Sequence, residues 1–123
     1  MLKATVQQLT AESYEAFIRE KRAAAVHFDA EWDIGYRPIT RRKMQEAEAA
    51  LSEQANFGEV DCDREIPLAK SIGLVGVPAV AYYLDGVLVA VLLGVRQNVR
   101  GRVESLVRGE PISHEDGMRD DQL

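Results

Sequence analysis

Five residues that could do acid–base or metal chemistry lie together in one short stretch, VHFDAEWDIGYR, at residues 26–37. Asp33 and Tyr36 are three positions apart at the predicted start of a helix, so their side chains can approach each other across its first turn. His27 lies in the predicted strand before them. A carboxylate, a phenol and an imidazole all serve in general acid–base catalysis. These residues therefore permit an acid–base enzyme, although no nucleophile–base–orienter set or phosphate-binding loop accompanies them.

Three acids of the same stretch offer a different chemistry. Asp29, Glu31 and Asp33 alternate along the end of a predicted strand, where alternate side chains share one face. Hard cations such as Mg²⁺ bind oxygen ligands of this kind. However, no glycine-spaced loop supports coordination, and basic residues including Arg37 and Arg41 follow directly. We therefore expect solvated acids neutralised by neighbouring cations, with no metal and no other cofactor.

The composition predicts one folded domain. The chain has 123 residues, of which 46% are apolar and 28% are charged, as in ordinary globular proteins. Its single cysteine, Cys62, excludes a disulfide within the chain and a CxxC motif, and it fits a reducing compartment. The N-terminus has no hydrophobic signal region, and no apolar run is long enough to cross a bilayer. We expect a cytoplasmic protein without membrane insertion.

The charge of the chain is concentrated near one end. The whole chain carries −5, and residues 110–123 hold five acids and one arginine, which gives −4. The remaining residues are nearly neutral at −1, so the basic surface that nucleic-acid binding requires is missing. We predict a folded domain at residues 1–109, followed by an acidic, disordered tail at residues 110–123.

Hydrophobic periodicity and turn residues predict nine elements in the order β-α-β-α-β-α-β-β-α. This order is typical of an α/β layered domain. The first helix begins after Thr10 and buries Tyr14, Phe17 and Ile18, and the second buries Ile39, Met44, Ala47 and Leu51. The predicted bounds are 6–9, 10–22, 23–28, 36–55, 57–62, 66–71, 79–84, 87–93 and 99–109.

Several segments in this order resemble thioredoxin: LTAESYEAFI, VHFDAEW, VDCDRE, LAKSIGLVGVPAV and YYLDGVLVAVLLGV. The resemblance covers about residues 4–108. It implies an α/β thioredoxin fold, with a central mixed sheet of about five strands flanked by about four helices. It also makes Pro78 the family's cis-proline. In the family, the backbone of the residue before that proline, here Val77, binds an extended peptide by strand addition.

The resemblance also shows which chemistry is missing. Asp33 and Tyr36 occupy the positions of the family's two cysteines. Thiol–disulfide exchange requires a thiolate nucleophile, and a carboxylate cannot attack sulfur. Cys62 replaces an apolar residue between two acids, and we expect it to be a small buried hydrophobe without reactivity. A dithiol–disulfide oxidoreductase is therefore excluded.

A buried pair is predicted beneath this position. His27 replaces the family's buried acid, and Glu59 replaces the basic residue that faces it. The acidic and the basic member of the pair have therefore exchanged strands. The resemblance thus predicts a pair formed by His27 and Glu59. The alternative is a core histidine whose hydrogen bonds are satisfied elsewhere.

Three functions follow as hypotheses. The first is a redox-inactive, chaperone-like module that binds a protein or an extended peptide, and it is favoured by a looser likeness over residues 60–121 to the hydrogenase-assembly chaperones that bind a twin-arginine signal peptide. The second is an acid–base enzyme using Asp33, Tyr36 and His27, and the third is a structural subunit, for which a homo-oligomer is allowed. The predicted groove consists of Trp32, Asp33, Ile34, Gly35, Tyr36, Val77, Pro78 and Gly94.

Overall fold

The computed structural model describes residues 6–114, and the nine elements in that range follow the predicted order. Thr10 precedes the first helix as expected, and its N–H donates to Ser13 Oγ at 3.0 Å. The strands are β1 (Gln7–Gln8), β2 (Ala23–Asp29), β3 (Ala55–Asp61), β4 (Ala79–Leu84) and β5 (Val87–Leu93), and the helices are α1 (Ala11–Glu20), α2 (Arg37–Leu51), α3 (Ile66–Ser71) and α4 (Val99–Val107).

The five strands form one mixed sheet in the order β1-β3-β2-β4-β5. Strands β1, β3 and β2 are parallel, whereas β4 runs antiparallel to β2 and β5 runs antiparallel to β4. All seven residues of β2 are buried, because helices cover both faces of a central strand in such a sheet. The predicted thioredoxin fold, with five strands and four helices, is confirmed.

Two hydrophobic clusters fill the space between the sheet and its helices. Alternate residues of β2 enter different clusters, as the pleat of a strand requires. Ala23 and Ala25 pack with residues of α2 and α4, such as Met44 and Val103. On the other face, Val26 packs with residues of α1. That second cluster contains the three predicted α1 residues, Tyr14, Phe17 and Ile18.

The second helix is shorter than predicted. It ends at Leu51 rather than near residue 55, because Ala55 already pairs with Ala23 at the start of β3. The prediction that Ile39 lies in the core is also wrong, since its side chain is 44% exposed. Thr40 is buried in its place.

The first residues of the predicted tail lie against the domain. Ile112 packs on the cluster beneath α2 and α4, and the Ser113 carbonyl accepts a hydrogen bond from Arg102 Nε at 2.7 Å. The predicted boundary at Gly109 therefore falls too early, because chain beyond it is bound to the core. The rest of the predicted tail, residues 115–123, lies outside the described residues.

The length and apolar character of each helix were compared with what a membrane span requires. Within residues 6–114 no helix combines the length and the apolar character needed to span a bilayer.

Candidate functional site

Three segments of the predicted groove meet at one end of the sheet. Phe28, near the end of β2, pairs with Ala79 at the start of β4, and Ala79 pairs with Leu93 at the end of β5. The loop after β2, the segment before β4 and the residues after β5 therefore leave the sheet at the same end. We call this end the Trp32–Pro78 surface, formed by Trp32, Ile34, Gly35, Tyr36, Val75, Val77, Pro78, Leu93 and Gly94.

The backbone on either side of Val77 and Pro78 has an unusual conformation and unused hydrogen-bonding groups. The Val77–Pro78 peptide bond is cis, and the Pro78 carbonyl accepts a hydrogen bond from the Gly94 N–H at 2.9 Å. Gly94 has a φ of 111°, which favours glycine. Across the described part of the chain, neither the N–H nor the C=O of Val77 takes part in a hydrogen bond.

Large exposed apolar side chains lie in the segments that leave the sheet at this end. Trp32 is 66% exposed, Ile34 is 82% exposed and Tyr36 is 56% exposed. Val75 and Leu93 are exposed as well, at 83% and 54%. Exposed apolar groups that cluster at one place mark an interaction surface more often than scattered ones do.

Sequence reasoning missed Val75 and Leu93. The signal that could have found them is their position, since Val75 lies in the short segment before Pro78 and Leu93 is the last residue of the strand before Gly94. Two predicted groove residues, Asp33 and Pro78, are buried instead of exposed. They support the surface from below.

Asp33 holds the start of α2. Its Oδ1 accepts a hydrogen bond from the Tyr36 N–H at 3.2 Å, and its carbonyl accepts one from the Arg37 N–H at 3.2 Å. Its own N–H donates to the Ala30 carbonyl at 3.1 Å. Asp33 thus contacts Tyr36 through the backbone. The predicted approach of the Asp33 carboxyl to the Tyr36 phenol stays a prediction, and the phenol makes no hydrogen bond in the described chain.

His27 and Glu59 lie opposite each other in the β2–β3 register, but they do not form the predicted pair. His27 Nε2 is 3.0 Å from Asp29 Oδ2. Glu59 instead accepts hydrogen bonds from Arg41, at 3.1 Å from Nε, and lies 3.7 Å from Arg37 Nε. The reason is that α2 covers this face and brings its arginines to Glu59, while Asp29 is the next residue of β2 on the face of His27.

Asp29 therefore belongs to the site, although sequence reasoning treated it only as one of three alternating acids. It is 1% exposed, and its second oxygen, Oδ1, accepts the Ala30 N–H at 2.8 Å. Burial raises the pKa of Asp33, and so does the neighbouring Asp29 carboxyl. The hydrogen bond from the Tyr36 N–H acts in the opposite direction. His27, Asp29 and Asp33 are thus one interacting group.

An acid-rich crevice lies beside this group. It has a volume of about 310 Å³. Among residues 6–114, no group of three or more histidine, cysteine or acidic side chains is placed to hold a metal ion. Arginines neutralise its acids, since Arg64 pairs with Asp61 at 3.6 Å. The charged side chains that line the crevice are Asp29, Glu31, Arg37, Glu59, Asp61, Arg64 and Glu65.

The single thiol lies in an environment that opposes its ionisation. Cys62 is partly buried, and its N–H donates to the Asp29 carbonyl at 2.8 Å. Burial, together with the negative charges of Asp29, Asp61 and Asp63, raises the pKa of Cys62 to about 11. Thiolates are the nucleophilic form of cysteine, so this thiol is poorly activated at neutral pH.

Comparison with known proteins agrees with this geometry. A sequence model described as thioredoxin matches residues 5–103. This chain belongs to the thioredoxin family. It is a thioredoxin-family domain with one cysteine, so the family's cysteine pair is missing. A comparison with curated proteins finds no match.

Solved structures of the thioredoxin family share the fold. A mutant thioredoxin from Halobacterium salinarum superposes with a TM-score of 0.69 at 19% identity, covering 92% of this chain and 98% of the other. The oxidised thioredoxin of Plasmodium falciparum gives 0.68 at 20% identity, with coverages of 85% and 97%. Human ERp44 gives 0.69 at 19% identity, covering 89% of this chain and 30% of ERp44. These identities support the fold alone.

Proposed function

We propose that this domain has no dithiol activity and that it binds an extended segment of another protein on the Trp32–Pro78 surface. The observation that carries the proposal is the unused N–H and C=O of Val77, at the end of the sheet where exposed apolar side chains also lie. An extended segment can hydrogen-bond to such a backbone as an added strand, without a particular side chain in the host.

The apolar side chains around Val77 suggest the kind of segment that binds. Alternate side chains of an extended peptide point to opposite faces, so every second residue would face Trp32, Tyr36 and Leu93. Aromatic residues are enriched where proteins meet, because they bring a large contact area. The partner is therefore an extended segment with apolar residues at alternate positions. That this binding takes place in the cytoplasm stays a prediction.

The chemistry of the loop supports a role without redox turnover. Asp33 offers a carboxylate at the position of the attacking cysteine, and a carboxylate cannot exchange a disulfide. The raised pKa of Cys62 keeps the remaining thiol protonated at neutral pH. An insulin-reduction assay should therefore show only background turnover, and sustained turnover by the pure protein would contradict this part of the proposal.

Selection from a library of displayed linear peptides tests the binding role. Peptides selected on the wild-type domain should bind at least about tenfold more weakly to Trp32→Ala and Val77→Asp, since each variant changes the centre of the surface. Val87→Asp is the matched control: Val87 is 65% exposed, like Trp32, but it lies at the other end of the hairpin. It should bind like wild type.

Two outcomes would overturn the binding role. One is a selection in which no peptide exceeds the background. The other is a set of peptides that bind equally to wild type and to both surface variants. Chemical shift mapping of the backbone amides adds a second readout, since the Val77 amide signal should move when a selected peptide binds.

A further inference from the structure

A chain of buried polar side chains runs from the core to the Trp32–Pro78 surface. His27 is 0% exposed, Asp29 is 1% exposed and Asp33 is 9% exposed. Asp33 lies between Trp32 and Ile34, which are both exposed on that surface. The loop that presents apolar contacts to a partner is thus held from beneath by two carboxyl groups and an imidazole.

The hydrogen bonds of Asp29 define which group is ionised. Its Oδ1 accepts from the Ala30 N–H, and its Oδ2 lies 3.0 Å from His27 Nε2. His27 Nδ1 is buried and has no partner among residues 6–114. We assign the imidazole proton to Nε2, because a buried N–H without an acceptor costs more than a bare lone pair. Asp29 is then an anion that accepts two hydrogen bonds.

Asp33 has a place for a proton. Its Oδ1 accepts from the Tyr36 N–H, whereas its Oδ2 is buried and has no partner in the described range. A proton on Oδ2 would give this oxygen a hydrogen bond to donate to the Asp29 anion. Burial and Asp29 both raise the pKa of Asp33, which agrees with this arrangement.

We propose that Asp33 and Asp29 share one proton and that its loss weakens docking on the Trp32–Pro78 surface. The inference rests on the proposed function, because it concerns regulation of the same surface. Without the proton, two neighbouring carboxylates repel each other in a buried place. The Asp33 carboxylate then moves toward solvent and brings negative charge between Trp32 and Ile34. An uncharged apolar segment should therefore bind more weakly as the pH rises.

The other charges around Asp33 are engaged elsewhere. Arg41 bonds to Glu59, Arg37 lies 3.7 Å from the same carboxylate, and Arg64 pairs with Asp61. The hydrogen bond from the Tyr36 N–H favours ionised Asp33, but burial and Asp29 outweigh it in the net direction. The neighbouring strand β4, Ala79–Leu84, carries no charged side chain. The titratable and charged groups around the pair are His27 on β2, Glu31 in the loop, Arg37 and Arg41 on α2, and Glu59, Asp61 and Cys62 on or beside β3.

Carboxyl ¹³C titration of the free protein tests proton sharing without any ligand. The Asp33 signal should titrate above the ordinary aspartate pKa of about 3.9, and Asp29→Asn should move it toward that value. If Asp33 of the wild-type protein titrates at the ordinary value, the inference is overturned while the proposed docking function stands.

Peptide binding measured at several pH values tests the proposed regulation of docking. The probe is a selected library peptide without titratable groups, measured against wild type from pH 4 to pH 8. Its Kd should rise at least about threefold through the pH range in which Asp33 ionises, and it should stay flat in Asp33→Asn. That variant keeps an oxygen for the Tyr36 N–H.

Glu31→Gln is the control, because it removes an exposed acid of the same loop. It should keep the wild-type pH profile. A wild-type profile that is flat, or that Asp33→Asn leaves unchanged, would overturn the regulation. Failure of every selected peptide to bind at any pH would instead overturn the docking function, and the regulation with it.

Discussion

His27 and Glu59 lie side by side in the β2–β3 register, yet each bonds to a different residue, His27 to Asp29 and Glu59 to Arg41. The buried polar groups beneath the loop are therefore two separate units. One unit belongs to β2 and the loop after it, and it contains the two carboxyl groups that we propose share a proton. The other joins β3 to α2, and it is an ion pair that attaches a helix to the sheet.

The first prediction concerns stability and pH in Asp33→Asn. The raised pKa of folded Asp33 means that the native state holds this proton more tightly than the unfolded chain. Its stabilising effect is complete below the unfolded pKa, about 3.9, and is lost as the pH rises through the folded pKa. The asparagine side chain of the variant cannot ionise, so the variant should be more stable than wild type above the folded pKa. The gain should shrink toward zero near pH 4.

Urea unfolding followed by circular dichroism between pH 4 and pH 8 measures this difference. For one proton, the slope of the stability difference cannot exceed about 1.4 kcal/mol per pH unit. A variant that is less stable than wild type at every pH would show that Asp33 stabilises the loop as an anion.

The second prediction concerns the ion pair between β3 and α2. Glu59 is 5% exposed, so Arg41→Ala leaves a buried carboxylate that keeps only the 3.7 Å contact with Arg37. We expect a loss of about 2–4 kcal/mol in the free energy of unfolding. The control is Arg19→Ala, which breaks an exposed pair with Glu15 and should cost about 1 kcal/mol or less. Equal costs in the two variants would contradict a buried role for Glu59.

The third prediction concerns Cys62. With the pKa of Cys62 raised to about 11, its thiolate fraction at pH 8 should be about two-hundredfold smaller than for an ordinary cysteine of pKa about 8.5. Alkylation of the native protein by iodoacetamide at pH 8 should be slower to a similar degree. The urea-unfolded protein is the control and should react at the ordinary rate. Rapid alkylation of the native protein would show that the thiol is activated.

The fourth prediction concerns the contact between β3 and α1. A Cβ on Gly58 would lie 2.6 Å from Leu9 Cδ1 and 2.9 Å from an edge carbon of the Phe17 ring. Gly58→Ala should therefore destabilise the fold by about 1–3 kcal/mol, as overpacked cores do. Gly35→Ala is the matched control, because nothing lies within 4 Å of its Cβ position. The measurement is the melting temperature of each of the two variants. Similar values would contradict the close packing of α1 against β3.

The elements and their order were predictable because local patterns determine them. The DG turn is an example: Asp85 and Gly86 have φ values of 52° and 81°, as a two-residue hairpin requires. The predicted bounds of α3, β4 and β5 agree with the structure. The end of α2 was not predictable from its own residues, because the pairing of Ala55 with Ala23 decides it.

The partners of the buried polar side chains were harder to predict. The resemblance gave His27 and Glu59 as neighbours, and the register agrees. Which partner each one takes depends on how α2 crosses the sheet, and helical periodicity does not specify that. The role of Asp29 was missed because its link to Asp33 depends on the path of the loop between them, and local patterns do not specify that path either.

Backbone hydrogen bonds determine much of the shape of the loop from Ala30 to Arg37. Its turn uses the Ala30 carbonyl with the Asp33 N–H and the Asp33 carbonyl with the Arg37 N–H, and neither bond involves a side chain. A different residue at position 33 would keep these two backbone bonds, although only a side chain with an acceptor would keep the bond from the Tyr36 N–H. The architecture can thus exchange one reactive group for another during evolution, or at the hands of an engineer, while the strands that carry it stay where they are.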